Sequence, residues 1–92
     1  ILVVIIAYFL GRLLAILISS SGESKNMLNV VLAAKKKKFF KILTFTGFDI
    51  RNSLKNKSDI NIWIDSKMYN VVENSHQFYL LLLVDMIKKF KN

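Results

Sequence analysis

The first eighteen residues constrain this chain more than any other feature: Ile1 to Ile18 form one apolar run broken only by Gly11 and Arg12. A helix of that length reaches about 27 Å, close to the hydrocarbon thickness of a bilayer. The run is therefore expected to be a transmembrane helix. Arg12 costs about 2.5–3.5 kcal/mol at a helix centre, but near the end of a run it can snorkel to the headgroups. It could also pair with an acidic group on another membrane subunit. A signal peptide is the rival reading, with Ser19 to Gly22 as a small-residue cleavage zone, but the apolar stretch is long for one. The chain opens at Ile1, so further residues are expected ahead of it.

The rest of the chain is small, and a core of that size is only marginally stable by itself. A partner, a ligand or the membrane is expected to support it. Cysteine is absent, which excludes disulfides, iron–sulfur clusters and thiolate zinc sites. One histidine, His76, excludes a histidine-rich metal site. The net charge is +8. A composition rich in Lys, Ile, Asn and Phe suggests an AT-rich coding sequence, so part of that charge reflects codon usage.

Residues 19–41 read as a polar linker, a short helix and a basic juxtamembrane segment. Met27, Leu28, Val30, Val31 and Ala34 fit one helix face, with Asn26 as a cap. Lys35, Lys36, Lys37, Lys38 and Lys41 then surround Phe39 and Phe40. A basic, aromatic patch can touch RNA, bind anionic lipid headgroups at about 1 kcal/mol per residue, or simply be solvated. Proximity to a membrane favours lipid over nucleic acid. Arg12 and these five lysines are the expected membrane and lipid contacts.

Residues 42–92 read as a small α+β domain. Ile60, Ile62 and Ile64 alternate with Asn61, Trp63 and Asp65, as in a strand; Met68 to Val72 is expected to return as the second arm of a β-hairpin. Glu73 to Gln77 reads as a polar turn with a solvent-facing His76. Phe78 to Phe90 reads as a C-terminal helix. No Gly-rich phosphate loop, Ser–His–carboxylate set or placed carboxylate pair is visible, so catalysis is not expected and no metal ligands are assigned.

The stretch from Ile42 to Tyr79 resembles the membrane-associated progesterone receptor family, whose members are cytochrome b5-like. Phe45-Thr46-Gly47-Phe48-Asp49 and Ile60-Asn61-Ile62-Trp63-Ile64-Asp65-Ser66-Lys67-Met68-Tyr69-Asn70-Val71 carry the likeness, with Phe78-Tyr79 after them. The resemblance implies a haem-binding or haem-lost scaffold, with Tyr79 in the ligand's place. The expected fold is thus α+β: a transmembrane helix (1–18), then a reduced cytochrome b5-like domain with a β-hairpin and a C-terminal helix. The expected function is a single-pass, membrane-anchored, non-catalytic scaffold in the endoplasmic reticulum or the mitochondrial inner membrane. The alternative is an accessory subunit of a large membrane complex, such as a respiratory or ATP synthase assembly, with other membrane-protein subunits as partners.

Overall fold

The computed structural model describes residues 2–9 and 11–91, with the backbone alone for Phe9, Phe90 and Lys91. The order of elements is β1 (Leu2–Phe9), β2 (Arg12–Ser19), α1 (Lys25–Lys36), β3 (Lys41–Thr46), α2 (Ser53–Lys57), β4 (Ile60–Trp63) and α3 (Tyr69–Lys91). The four strands form one sheet in the order β1-β2-β3-β4. β1 and β2 are antiparallel, while β2, β3 and β4 run parallel to one another.

The apolar run at the start is therefore a β-hairpin and not a membrane helix. Ile1 and Leu10, both counted in that run, lie outside the described residues. The chain reverses between Phe9 and Arg12, with Gly11 at φ +77°, a conformation that suits glycine. Ile and Val are stiff at χ1 and pack well on a pleated surface, which favours strand over helix. β2 looks continuously apolar because helices cover both its faces, the usual pattern for an interior strand. Among the described residues no helix is long and apolar enough to cross a membrane.

The sheet is the middle of three layers. Ala15 and Leu17 of β2 and Ile42 of β3 pack on one face against Met27, Val31 and Ala34 of α1 and Leu54 of α2. Ile16, Ile18, Leu43 and Phe45 form the opposite face, under Leu80 and Leu83 of α3. α1 begins at the cap Ser24, whose hydroxyl accepts from the Met27 N–H; Asn26 is inside the helix. It ends with Lys38 at φ +57°, where the Phe39 N–H reaches the Ala34 carbonyl and the Lys38 N–H reaches that of Lys35. That is a Schellman motif with lysine in the position glycine prefers.

The expected hairpin over Ile60 to Val72 is also absent, and with it the cytochrome b5-like arrangement. Ile60–Trp63 pairs in parallel with β3, and the chain from Tyr69 onward is helical. The α2 crossover delivers β4 beside β3, so the strand's hydrogen bonds are met without a return arm. Glu73 to Gln77 lies inside α3, where His76 is only 1% exposed. Val72, His76, Leu80 and Leu83 recur at helical spacing and turn one face of α3 to the sheet.

Candidate functional site: the serine loop at the carboxyl end of the sheet

In sheets of parallel strands joined by helices, ligands bind outside the carboxyl ends of the strands. Here that edge holds the segment Ser19-Ser20-Ser21-Gly22-Glu23-Ser24, which joins β2 to the N-terminus of α1. The segment is a tight turn and not a slack linker. The Ser19 hydroxyl accepts from the Gly22 N–H at 3.2 Å, and the Ser21 hydroxyl accepts from the Glu23 N–H at 3.2 Å. A hydroxyl that accepts in this way keeps its own proton to donate elsewhere. Ser20 is 5% exposed, and its Oγ is buried without a hydrogen-bond partner.

The loop is anchored to the rest of the edge through its backbone. The Gly47 N–H donates to the Ser20 carbonyl at 2.8 Å, and the Leu54 N–H to the Gly22 carbonyl at 2.9 Å. Gly22 sits at φ +71°, and any Cβ there would collide with the Asn52 side chain. Asn52 is fully buried and links three segments. Its Nδ2 donates to Thr46 Oγ1 at 3.1 Å and to the Asp49 carbonyl at 2.9 Å. Its Oδ1 accepts from the Lys55 N–H at 2.8 Å and caps α2. Glu23 turns its carboxylate onto the Ser53 N–H at 3.0 Å. The first turn of α1 holds no acidic residue; Glu23, one residue before the cap, is the one carboxylate in the loop.

β3 completes the edge. Phe48, just past its end, has φ +60°, an uncommon conformation for a bulky residue and one that tends to accompany functional loops. The Thr46 carbonyl meets the His76 Nε2 at 2.9 Å. A carbonyl can only accept, so Nε2 carries the proton and Nδ1 is the basic nitrogen; Nδ1 is buried without a hydrogen-bond partner. Burial pushes the His76 pKa below its ordinary 6.5, outweighing the Thr46 carbonyl and Glu73, which raise it. Between α3 and the sheet, on the face opposite α1, lies a pocket of about 260 Å³ lined by Val3, Ile18, Glu73, Asn74, His76, Gln77 and Leu80.

The residues singled out from the sequence lie elsewhere. Arg12, Lys35, Lys36, Lys37, Lys38 and Lys41 gather at the opposite, amino-terminal edge of the parallel strands, all exposed. A strand of six residues spans about 20 Å, which separates them from the serine loop. The Arg12 guanidinium lies 4.7 Å from the centre of the Phe40 ring, and the Lys41 ammonium 5.6 Å from it. Tyr79 is on a flank of α3, 40% exposed, its ring edge-on to that of Phe78 at 5.3 Å. The serine loop and the burial of His76 went unseen in the sequence. Their signals were an apolar run passing into Ser-Ser-Ser-Gly just ahead of a helix cap, and the spacing Val72, His76, Leu80.

These features define a small α/β unit with a polar, helix-backed turn at the carboxyl end of its parallel strands. No family model, curated protein or solved structure matches the chain.

Proposed function

We propose that this chain binds a small phosphorylated polyol, such as a sugar phosphate, with its phosphate on the Ser19–Ser24 loop. The carrying observation is the loop itself: four serine hydroxyls among six residues, on the N-terminus of a 12-residue helix, with Ser20 Oγ buried and lacking a protein partner. Helix N-termini attract phosphate through their unpaired N–H groups and dipole. Hydroxyls that already accept from the loop's own N–H groups keep their protons free to donate, which suits an acceptor-only anion. The sequence lacks both the lysine-bearing loop of triphosphate sites and the glycine pattern of dinucleotide sites, so a monoester fits better. The pocket between α3 and the sheet is smaller than a drug-sized site and is lined in part by Asn74 and Gln77, which can hydrogen-bond hydroxyl groups.

The test is a thermal-shift and calorimetric series with hexose and pentose phosphates, inorganic phosphate and the matching free sugars. Phosphorylated sugars should raise the melting temperature and free sugars should not; a ligand at a hundred times its Kd adds about 2.7 kcal/mol. Ser21→Asp places a negative charge in the loop and should abolish the shift with the fold intact by circular dichroism. If no phosphate compound acts at millimolar concentration, the proposal fails.

A further inference from the structure

Charge is divided between the two ends of the sheet. The carboxyl end of the parallel strands carries Glu23, Asp49 and Asp65. The amino end carries Arg12, Lys35, Lys36, Lys37, Lys38 and Lys41, all exposed. These six cations have no ion-pair partner among the described residues. Asp59, at the same edge, turns its carboxylate onto the Ile42 N–H at 2.8 Å. Lys35 and Lys36, in the last turn of α1, answer the negative end of its dipole. Lys38 has no such role: it holds φ +57°, where glycine would be free of strain. Strain of that kind tends to mark functional positions.

An apolar strip runs into this basic edge. Leu2, Val4, Ile6 and Tyr8 of β1 are exposed, Ile6 at 60% and Tyr8 at 69%. Val4 and Ile6 stand opposite Leu17 and Ala15, which α1 covers. Directly opposite residues share a face, so the strip lies on the α1 side of the sheet, next to the helix and not under it. Tyr8 shares a hollow of about 450 Å³ with Arg12, Lys38 and Phe40, and Ile6 shares a groove of about 390 Å³ with Lys37 and Phe39. The strip and the cations therefore meet at one corner of the molecule. The Phe40 N–H donates to the Leu13 carbonyl at 2.9 Å and holds the exposed ring there, with Arg12 and Lys41 against it.

We propose that this corner docks on the surface of an anionic lipid bilayer, peripherally and without a spanning segment. Ile6, Tyr8 and Phe40 enter the headgroup layer, while Arg12, Lys37, Lys38 and Lys41 meet lipid phosphates. Unpaired cations alone would suit any polyanion. The apolar side chains beside them select a partner that is anionic outside and apolar within, and a tyrosine ring suits the boundary between the two. A second copy of this chain would bring its own cations against these. Single-stranded nucleic acid would use the rings but leave Val4 and Ile6 in water. Arginine and lysine packed on Phe40 can keep their heads at the phosphates while their stems follow the ring inward.

This inference does not depend on the phosphate reading, and the two are tested separately. The whole chain is sedimented with phosphatidylcholine vesicles, with and without phosphatidylserine. It should follow the anionic vesicles only, and less so as salt rises. Lys38→Gly removes one cation while relieving backbone strain, and should weaken this binding about fivefold with the fold intact. Lys67→Ala removes one cation beside Asp49 and Asp65 at the other end, and should leave binding unchanged. Ile6→Thr keeps a strand-forming residue but loses apolar area, and should also weaken binding. Ser21→Asp, which abolishes the phosphate response proposed above, should bind these vesicles as the wild type does. A chain that stays in solution beside anionic vesicles, binds neutral ones equally, or responds to Lys67→Ala as to Lys38→Gly would overturn the proposal. So would capture of a single-stranded thymidine oligonucleotide in place of the vesicles, or a dimer in sedimentation velocity that Ile6→Thr dissolves.

Discussion

His76 Nε2 and the Thr46 carbonyl oxygen, 2.9 Å apart, join the first half of α3 to the end of β3. The same oxygen also accepts the Ile64 N–H at 2.9 Å, so one carbonyl ties together β3, the segment after β4 and α3. Both lone pairs are used; the contact places a proton on Nε2, and burial disfavours a second one on Nδ1.

A pH dependence follows from the burial of His76, which outweighs that contact. The folded-state pKa of His76 lies below the unfolded 6.5, so between those two values the unfolded chain binds the extra proton. The stability that His76 contributes is complete above pH 6.5. It declines as pH falls through that value toward the folded pKa, by at most about 1.4 kcal/mol per pH unit for one proton. Urea midpoints from pH 7.5 to 5 should show this fall in the wild type and a shallower one in His76→Gln.

Gly22→Ala should destabilise the fold by more than about 2 kcal/mol. A left-handed conformation alone costs an L-residue about 1–2 kcal/mol, and the new methyl would push aside the buried Asn52. Equilibrium unfolding in urea measures the loss, and an unchanged midpoint would contradict the described turn.

Asn52→Ala should cost about 2–4 kcal/mol by the same measurement. It removes the cap of α2 and leaves Thr46 and the Asp49 carbonyl without their buried donor. Asn52→Asp should cost at least as much at neutral pH: it keeps the capping oxygen but sets a buried carboxylate oxygen, which can only accept, against the carbonyls of Asp49 and Gly47.

Lys38→Gly should stabilise the chain by about 1 kcal/mol, because glycine accepts the left-handed conformation at the end of α1 without strain. Lys38→Ala removes the same charge and should give no such gain. Comparing their melting temperatures separates backbone relief from reduced lysine repulsion.

Only part of this architecture could be read from residue order. α1 was legible because Met27, Val31 and Ala34 keep helical spacing in a polar setting, and the later half of α3 because Phe78 to Phe90 is too long for a strand. The first eighteen residues were misleading because β2, buried on both faces, has no period to detect, and β1 carries Leu2, Val4, Ile6 and Tyr8 on its exposed side, so its alternation is hidden too. Gly11, read as a flaw in a helix, was the turn. Tyr69 to Val72 has strand-like composition and yet begins a helix, since tertiary packing against Gly47 and Phe48 overrides local preference; Tyr69 stands edge-on to Phe48 at 4.7 Å. The serine loop is polar in the way linkers are, and only its place at a strand end sets it apart.

The sheet order repeats the order of the chain, and this bears on how quickly the molecule assembles. Each strand finds its neighbour in the segment just synthesised, as Leu14 pairs with Lys41 and Leu43 with Ile60. No strand waits for a distant segment to close a loop, so the search is short and the entropy lost at each step is small. The sheet can grow strand by strand during translation, with α3 laid across its second face at the end.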